Sequence, residues 1–242
     1  PDVRVHAFLE EKRATLYLDT SGEPLFKRGW RAGAADAPLR ENLAAGILML
    51  AGWKPEDVLL DPMCGGGTFL VEAGAMARGR APGAKRSFGF EKLAVFDARA
   101  WEKIERREEE KTPQLYGSDT DPKALNAARR NLAEAGVERW TRLDRVDVLE
   151  RIAPAPAGVM VMNPPYGERM GSPEELARFY PRLGDHLKKN FAGWRCYIFT
   201  ADLRAAKLIG LAPSKRIPLW NGALECRLYE FEIVAGSHRR PR

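Results

Sequence analysis

The stretch "DVLLDPMCGGGTFLVEAGAMA", residues 57–77, joins a short apolar strand to a helix through three successive glycines. Glycine lets a backbone adopt positive φ and lets a ligand come close to it. In open α/β sheets, ligands gather beyond the carboxyl ends of the strands, where such turns lie. The spacing is not the dinucleotide fingerprint, because position 70 is leucine where a further glycine would stand. No Gly-Lys-Ser/Thr follows either, which excludes a phosphate-cradling P-loop.

The pattern on both sides completes an α/β chain. Downstream, "QLYGSD" (114–119) reads as a strand running into the helix "DPKALNAARRNLAEAG" (121–136), which closes at Gly136. A third strand is expected within 141–146, ending near Asp147, and a fourth over 158–162. A helix over 173–190 then leads to a fifth strand, "WRCYIFTA", and "KRIPLWNGALECRLYEFEI" reads as a hairpin turning at Asn221-Gly222. Upstream, Pro38 suits a first helical turn, Leu43, Ile47 and Leu50 follow at helical spacing, and Gly52 is placed as a stop. Residues 1–30 differ: two strand-like runs suggest a hairpin or linker left over from a preceding module, with 31–242 as the main domain. Residues 77–113 form a long charged connection, in which "WEKIERREEEK" has the mixed signs of a solvated helical face. Strands alternating with helices predict a parallel sheet covered on both faces, closed by an antiparallel hairpin.

The totals narrow the class. The 242 residues are 45% hydrophobic and 30% charged, enough for one large domain with a core of its own. No apolar run is long enough to span a bilayer, and the chain opens at Pro1 without an apolar leader. A soluble, cytoplasmic protein with no membrane association is therefore expected, and a piece of a longer one is compatible with this. Three cysteines without a CxxC pair and three scattered histidines support neither a disulfide framework nor a metal site. Lys+Arg is 39 against Asp+Glu 33, an excess of +6 that suits a polyanionic partner such as RNA, or simply a basic soluble protein.

Acidic residues at three successive strand ends describe the ligand. Asp61 would repel a pyrophosphate but suits a cation. Asp119 can accept from two ribose hydroxyls, and Asp147 from an adenine amine. Amino acid, ribose and adenine without phosphate together describe S-adenosyl-L-methionine. Asp121, before Pro122, is better placed to cap its helix, and Asp144 competes with Asp147 for the adenine. Cys64 has small neighbours and no histidine near it in sequence, so packing is expected rather than nucleophilic attack.

The fourth strand ends in "NPPYGERM", residues 163–170. The prolines stiffen the exit and donate no hydrogen bonds. The Asn163 side-chain oxygen and the Pro164 carbonyl thus become two fixed acceptors, matched to the two hydrogens of an exocyclic amine. Tyr166 can stack on the flat group that carries the amine. Two acceptors hold such a nitrogen as it pyramidalises and steady the positive charge it gains on attacking a methyl group.

"DPMCGGGT" followed by "NPPYGER" resembles the THUMP-associated class I RNA methyltransferases (the UPF0020 type), and "PLFKRGWR", "APLRENLAAGIL" and "FEKLAVFDARAWEKI" extend the likeness from about residue 20 to the end. The resemblance implies a Rossmann-like class I methyltransferase with a seven-stranded, mostly parallel sheet. It implies that Asp61, Met63, Gly65, Gly67 and Thr68 line the methionine end of the cofactor, Asp119 the ribose and Asp147 the adenine. Asn163, beside the donor, would with Pro164 and Tyr166 hold the target base. Gly167-Glu168-Arg169 is typical of the branch acting on guanine N2 in large-subunit (23S) ribosomal RNA. Family members carry a THUMP domain before this region. If these residues were the entire protein, RNA capture would rely on surfaces such as Arg78, Arg80, Lys85 and Arg86; as a fragment, the chain would be expected to bind free RNA weakly. The acceptor pair alone does not separate guanine N2 from adenine N6 of DNA or RNA, or from a glutamine amide. A catalytically idle module for ribosome assembly is the alternative outside enzymology.

Overall fold

The structure, a computed structural model, describes residues 3–31, 39–104, 111–164 and 173–235. Strands β1 (Arg4–Glu10) and β2 (Arg13–Asp19) pair only with each other, as an antiparallel hairpin. The remainder runs α1 (Glu41–Leu50), β3 (Leu59–Asp61), α2 (Thr68–Ala77), α3 (Ala98–Glu102), β4 (Leu115–Ser118), α4 (Pro122–Ala135), β5 (Thr141–Asp144), β6 (Gly158–Met162), α5 (Pro173–Asn190), β7 (Trp194–Thr200), α6 (Ala205–Leu208), β8 (Lys215–Asn221) and β9 (Leu224–Glu232).

Seven strands form one sheet in the order β5-β4-β3-β6-β7-β9-β8. The first five in that order are parallel, and β9 is antiparallel to both β7 and β8. The chain leaves β3 towards β4 and later returns to its other side at β6. A crevice therefore opens beyond the carboxyl ends of β3, β4 and β6, at the point where the order reverses.

Strand β6 shows why the sheet sits where it does. Val159 and Val161 point into a core shared with α1, α2 and α4, while Met160 and Met162 point into a second core shared with α5. A strand buried on both faces reads as an unbroken apolar run, which is what VMVM is. Helix α4 starts with the Asp121 carboxylate accepting from Lys123 N at 2.8 Å and has Pro122 in its first turn. It stops at Gly136, whose φ of 68° is left-handed.

The structure departs from expectation in three places. The closing hairpin turns at Gly222-Ala223 and not at Asn221-Gly222, because Asn221 still pairs with Leu224. Strand β5 ends at Asp144, so Asp147 lies in the turn beyond it rather than at the strand end. The 77–113 connection is also more than a charged linker. The rings of Phe88, Phe90, Phe96 and Trp101 pack at centroid distances of 5.0–6.0 Å. Pro38 and residues 105–110, most of the charged run, lie outside the described residues.

Candidate cofactor and base site

The glycine turn between β3 and α2 is tied down from two directions. From β4, the Ser118 carbonyl accepts from Cys64 N at 2.9 Å and the Asp119 carboxylate accepts from Gly65 N at 2.9 Å. From α4, the buried Asn131 amide donates to the Gly66 carbonyl at 2.8 Å. Gly65 and Gly67 have φ of 51° and 79°, the left-handed region in which other residues are strained. A Cβ on Gly67 would come within 3.2 Å of the Ala128 Cβ, whereas one on Gly65 would meet nothing within 4 Å. Gly65 therefore fronts open space and Gly67 brings α2 close to α4.

Asp61 ends β3 with only 2% of its surface exposed. Burial pushes its carboxyl up to about 8, and the nearby Asp119 charge adds to this. The Met63 N–H, 3.3 Å away, pulls in the other direction. No cation among the described residues pairs with Asp61, so its environment is suited to a positively charged ligand. Thr68, the first residue of α2, accepts from Arg31 Nη2 at 3.4 Å, and Arg31 is itself paired with Glu41 at 2.9 Å.

Three carboxylates beyond β4 and β5 divide their work. Asp119 accepts from Gly65 N of the turn through Oδ2 and from Asp121 N at 3.0 Å through Oδ1, and each oxygen can accept a further hydrogen bond. Asp121 does the capping. Asp147 accepts from Leu149 N at 2.8 Å through Oδ1. Its competitor Asp144 is bound to Arg151 at 2.6 Å, which holds that carboxyl below the usual range. Of the two, Asp144 is the one committed to a cation.

Beyond β6, beside β3, the Asn163 side-chain oxygen is buried with no hydrogen-bond partner. Among the described residues nothing donates to it, although buried polar groups are nearly always satisfied. Pro164 is buried next to it. Tyr166 and the Gly167-Glu168-Arg169 segment lie outside the described residues.

The cations named for RNA capture all make contacts within the chain. Arg80 donates to the Ala135 carbonyl at 2.7 Å and Arg78 to Gly136 at 3.4 Å. Lys85 pairs with Glu134 at 2.9 Å, and Arg86 donates to the Ser21 and Pro24 carbonyls at 2.9 and 2.8 Å. These side chains fasten the 77–90 segment to α4 and to the linker after the hairpin. Cys64 is buried among apolar neighbours, and burial pushes its thiol well above its ordinary value, as a packing role requires. The sequence reading passed over Asn131, whose signal is a polar amide beside the buried Leu125, Ala128, Leu132 and Ala135 of α4. Among the described residues no cluster of three metal-ligating side chains occurs, and no helix is long and apolar enough to cross a membrane.

A family model described as the RMKL-like methyltransferase domain (UPF0020) matches residues 28–230. The chain belongs to the RMKL-like methyltransferase domain family. The ribosomal RNA large subunit methyltransferase K/L of Syntrophotalea carbinolica is 41% identical over 97% of this chain, and that of Psychromonas ingrahamii is 39% identical over 99%. The chain spans about a third of those relatives, 35% and 33% of their lengths. Among solved structures, SMU.472 complexed with SAH (S-adenosylhomocysteine) superposes at a TM-score of 0.86 with 31% identity, covering 97% of this chain and 63% of that one. A predicted N6-adenine-specific DNA methylase from Listeria monocytogenes gives a TM-score of 0.84 at 28% identity, covering 96% and 61%. The sheet order and these neighbours identify the fold as the Rossmann-like methyltransferase fold.

Proposed function

We propose that this RMKL-like domain binds S-adenosyl-L-methionine and methylates an exocyclic amine of an extruded base in large-subunit ribosomal RNA, with guanine N2 as the target. The buried, partnerless oxygen of Asn163 carries this reading, because it stands one strand away from the glycine turn. The K/L names of the relatives and the SAH held by SMU.472 support the substrate and the cofactor.

The residues present fit the cofactor. Asp61 takes the ammonium of the methionine part, while Met63, Gly65, Gly67 and Thr68 form the wall beside it. Asp119 takes the ribose hydroxyls and the second oxygen of Asp147 the adenine amine. Bound S-adenosyl-L-methionine supplies an electrophilic methyl group on a sulfonium. The Asn163 oxygen and the Pro164 carbonyl accept the two hydrogens of the target amine and fix the direction of its lone pair. Tyr166 stacks on the base. As the new N–C bond forms and the methyl–sulfur bond breaks to leave a neutral thioether, the two acceptors stabilise the charge gained by nitrogen, and its surplus proton passes to water. No strongly basic side chain is needed. In this reading residues 1–30 end a preceding module and residues 31–242 are the catalytic domain, with buried Trp30 anchoring one to the other.

A nucleoside map by mass spectrometry, after incubation with unmodified large-subunit ribosomal RNA and cofactor, tests the proposal. N2-methylguanosine is expected. N6-methyladenosine alone would replace guanine by adenine as the target, and no methylated nucleoside would leave the idle assembly module as the better account.

A further inference from the structure

The closing hairpin reaches the same edge of the sheet as the candidate site. Strand β9 is antiparallel to β7, with Arg227 opposite Thr200, so β9 begins and β8 ends where β7 ends. That is the edge at which β3 leads to Gly65 and β6 to Asn163. Three strand spacings separate β6 from β8, about 14 Å across the sheet.

The two sides of β8 are used differently. Ile217 and Leu219 turn inward and pack on the first core. Arg216, Pro218 and Trp220 alternate with them and are exposed. Opposite these on β9 stand Tyr229, Arg227 and Glu225. Tyr229 is covered and donates to the Leu203 carbonyl at 3.2 Å, but Trp220 is 59% exposed and Leu203, at the β7 exit, 46%. The Arg227 guanidinium is held over this face by Glu225 at 2.6 Å. A lone exposed apolar side chain needs no explanation. Here, however, an indole and two guanidiniums share one face at the edge where a substrate would enter. The inward residues already anchor the hairpin, so Trp220 is not required for the core.

We propose that Trp220, with Arg216 and Arg227, is a docking platform for unpaired RNA, stacking a base a few nucleotides from the one being modified. Every base offers a π-face to an indole, and guanidiniums complement the adjoining phosphates. The platform rests on the reading of the domain as an RNA methyltransferase. It also places a cationic contact at the edge of the sheet where the glycine turn and Asn163 lie.

The test titrates the full chain with an unmodified large-subunit ribosomal RNA transcript at several salt concentrations. Trp220→Ala should weaken binding about tenfold, the loss of one stacked base, while Trp220→Phe retains most of the affinity. Arg216→Ala should lower the salt slope by about one. S-adenosylhomocysteine affinity by calorimetry and Tm should stay at wild-type values in all three. RNA affinity unchanged in both Trp220→Ala and Arg216→Ala, with wild-type methylation intact, overturns the platform and leaves the methyltransferase reading standing. Parallel losses of Tm or cofactor affinity assign Trp220 to the fold and overturn it as well. A wild-type chain that neither binds nor methylates the transcript sinks the RNA reading itself, and the platform with it.

Discussion

The two ends of the crevice are built on opposite plans. At the glycine turn, backbone polar groups are taken up by the protein: Gly65 N by Asp119, Cys64 N by Ser118 and the Gly66 carbonyl by Asn131. At the exit of β6, the Asn163 oxygen is buried and no described residue donates to it. A buried acceptor without a donor costs about 1–3 kcal/mol, a cost that the hydrogen-bonded backbone of the glycine turn does not carry. A cofactor seat must have its shape ready before the ligand arrives, and internal hydrogen bonds provide that. A site that acts on an amine must keep an acceptor uncommitted until the amine comes, which internal hydrogen bonds would prevent.

Asn163→Ala should therefore separate function from stability. We expect kcat to fall about 10²–10³-fold, the usual cost of removing one group aimed at developing charge. Cofactor affinity should hardly change. Tm should hold or rise slightly, because the variant removes an unsatisfied polar atom rather than a satisfied one. Methylation assays beside thermal melts check this. A large fall in Tm would mean that Asn163 is a structural residue after all, and unchanged kcat would remove it from the mechanism.

Asp61 lies between the two plans, being held by one backbone N–H yet lacking a cation. With its carboxyl pushed up to about 8, it is mostly protonated at neutral pH in the ligand-free protein. An ammonium ligand needs it ionised, so binding must expel a proton. Affinity for S-adenosylmethionine should rise about tenfold per pH unit from pH ~6 until pH nears ~8, then level off. The folded-state value lies above the unfolded one, so this group's contribution to stability is full below pH ~4 and is lost as pH climbs towards ~8. Asp61→Asn should flatten both curves. Calorimetry in buffers of different ionisation enthalpy measures the proton release. Affinity independent of pH in the wild type would contradict the assignment of Asp61 to the ammonium.

What the sequence revealed and what it hid follow the same division between local and tertiary information. Strand β6 and helix α5 fell where the local pattern placed them, and the β8–β9 hairpin came with its turn one residue later, at Gly222-Ala223, because period and turn chemistry are properties of neighbouring residues. The site's main chain was legible for the same reason: a glycine turn and an asparagine before two prolines announce their geometry locally. The internal contacts of the cations at 78, 80, 85 and 86 were hidden because a charge in a sequence gives no sign of its partner. Theirs lie 49–65 residues away, on α4 and in the linker. Asp144 and Asp147 could not be told apart until Arg151 was seen on the first. The platform at Trp220 was invisible too, since only the strand order brings that hairpin to the edge of the crevice.

Asn131 gives the smallest effect and the sharpest check on the glycine-turn half of the contrast. Its amide donates across 65 residues of sequence to Gly66, from a helix face that is otherwise apolar. Asn131→Ala leaves that carbonyl short of a donor, which should lower stability by about 1–3 kcal/mol. For a chain of this size, Tm then falls by about 2–4 °C per kcal/mol. Cofactor affinity should weaken only a few-fold, because the Asp119 and Ser118 contacts still hold the turn from β4. Asn131→Asp should be worse than alanine on both counts, since it sets a carboxylate oxygen against the Gly66 carbonyl where a donor stood. If alanine and aspartate prove equally harmless in melts and calorimetry, the turn does not depend on α4 for its shape. The preorganisation assigned to that end of the crevice would then reside in Asp119 and the glycines alone.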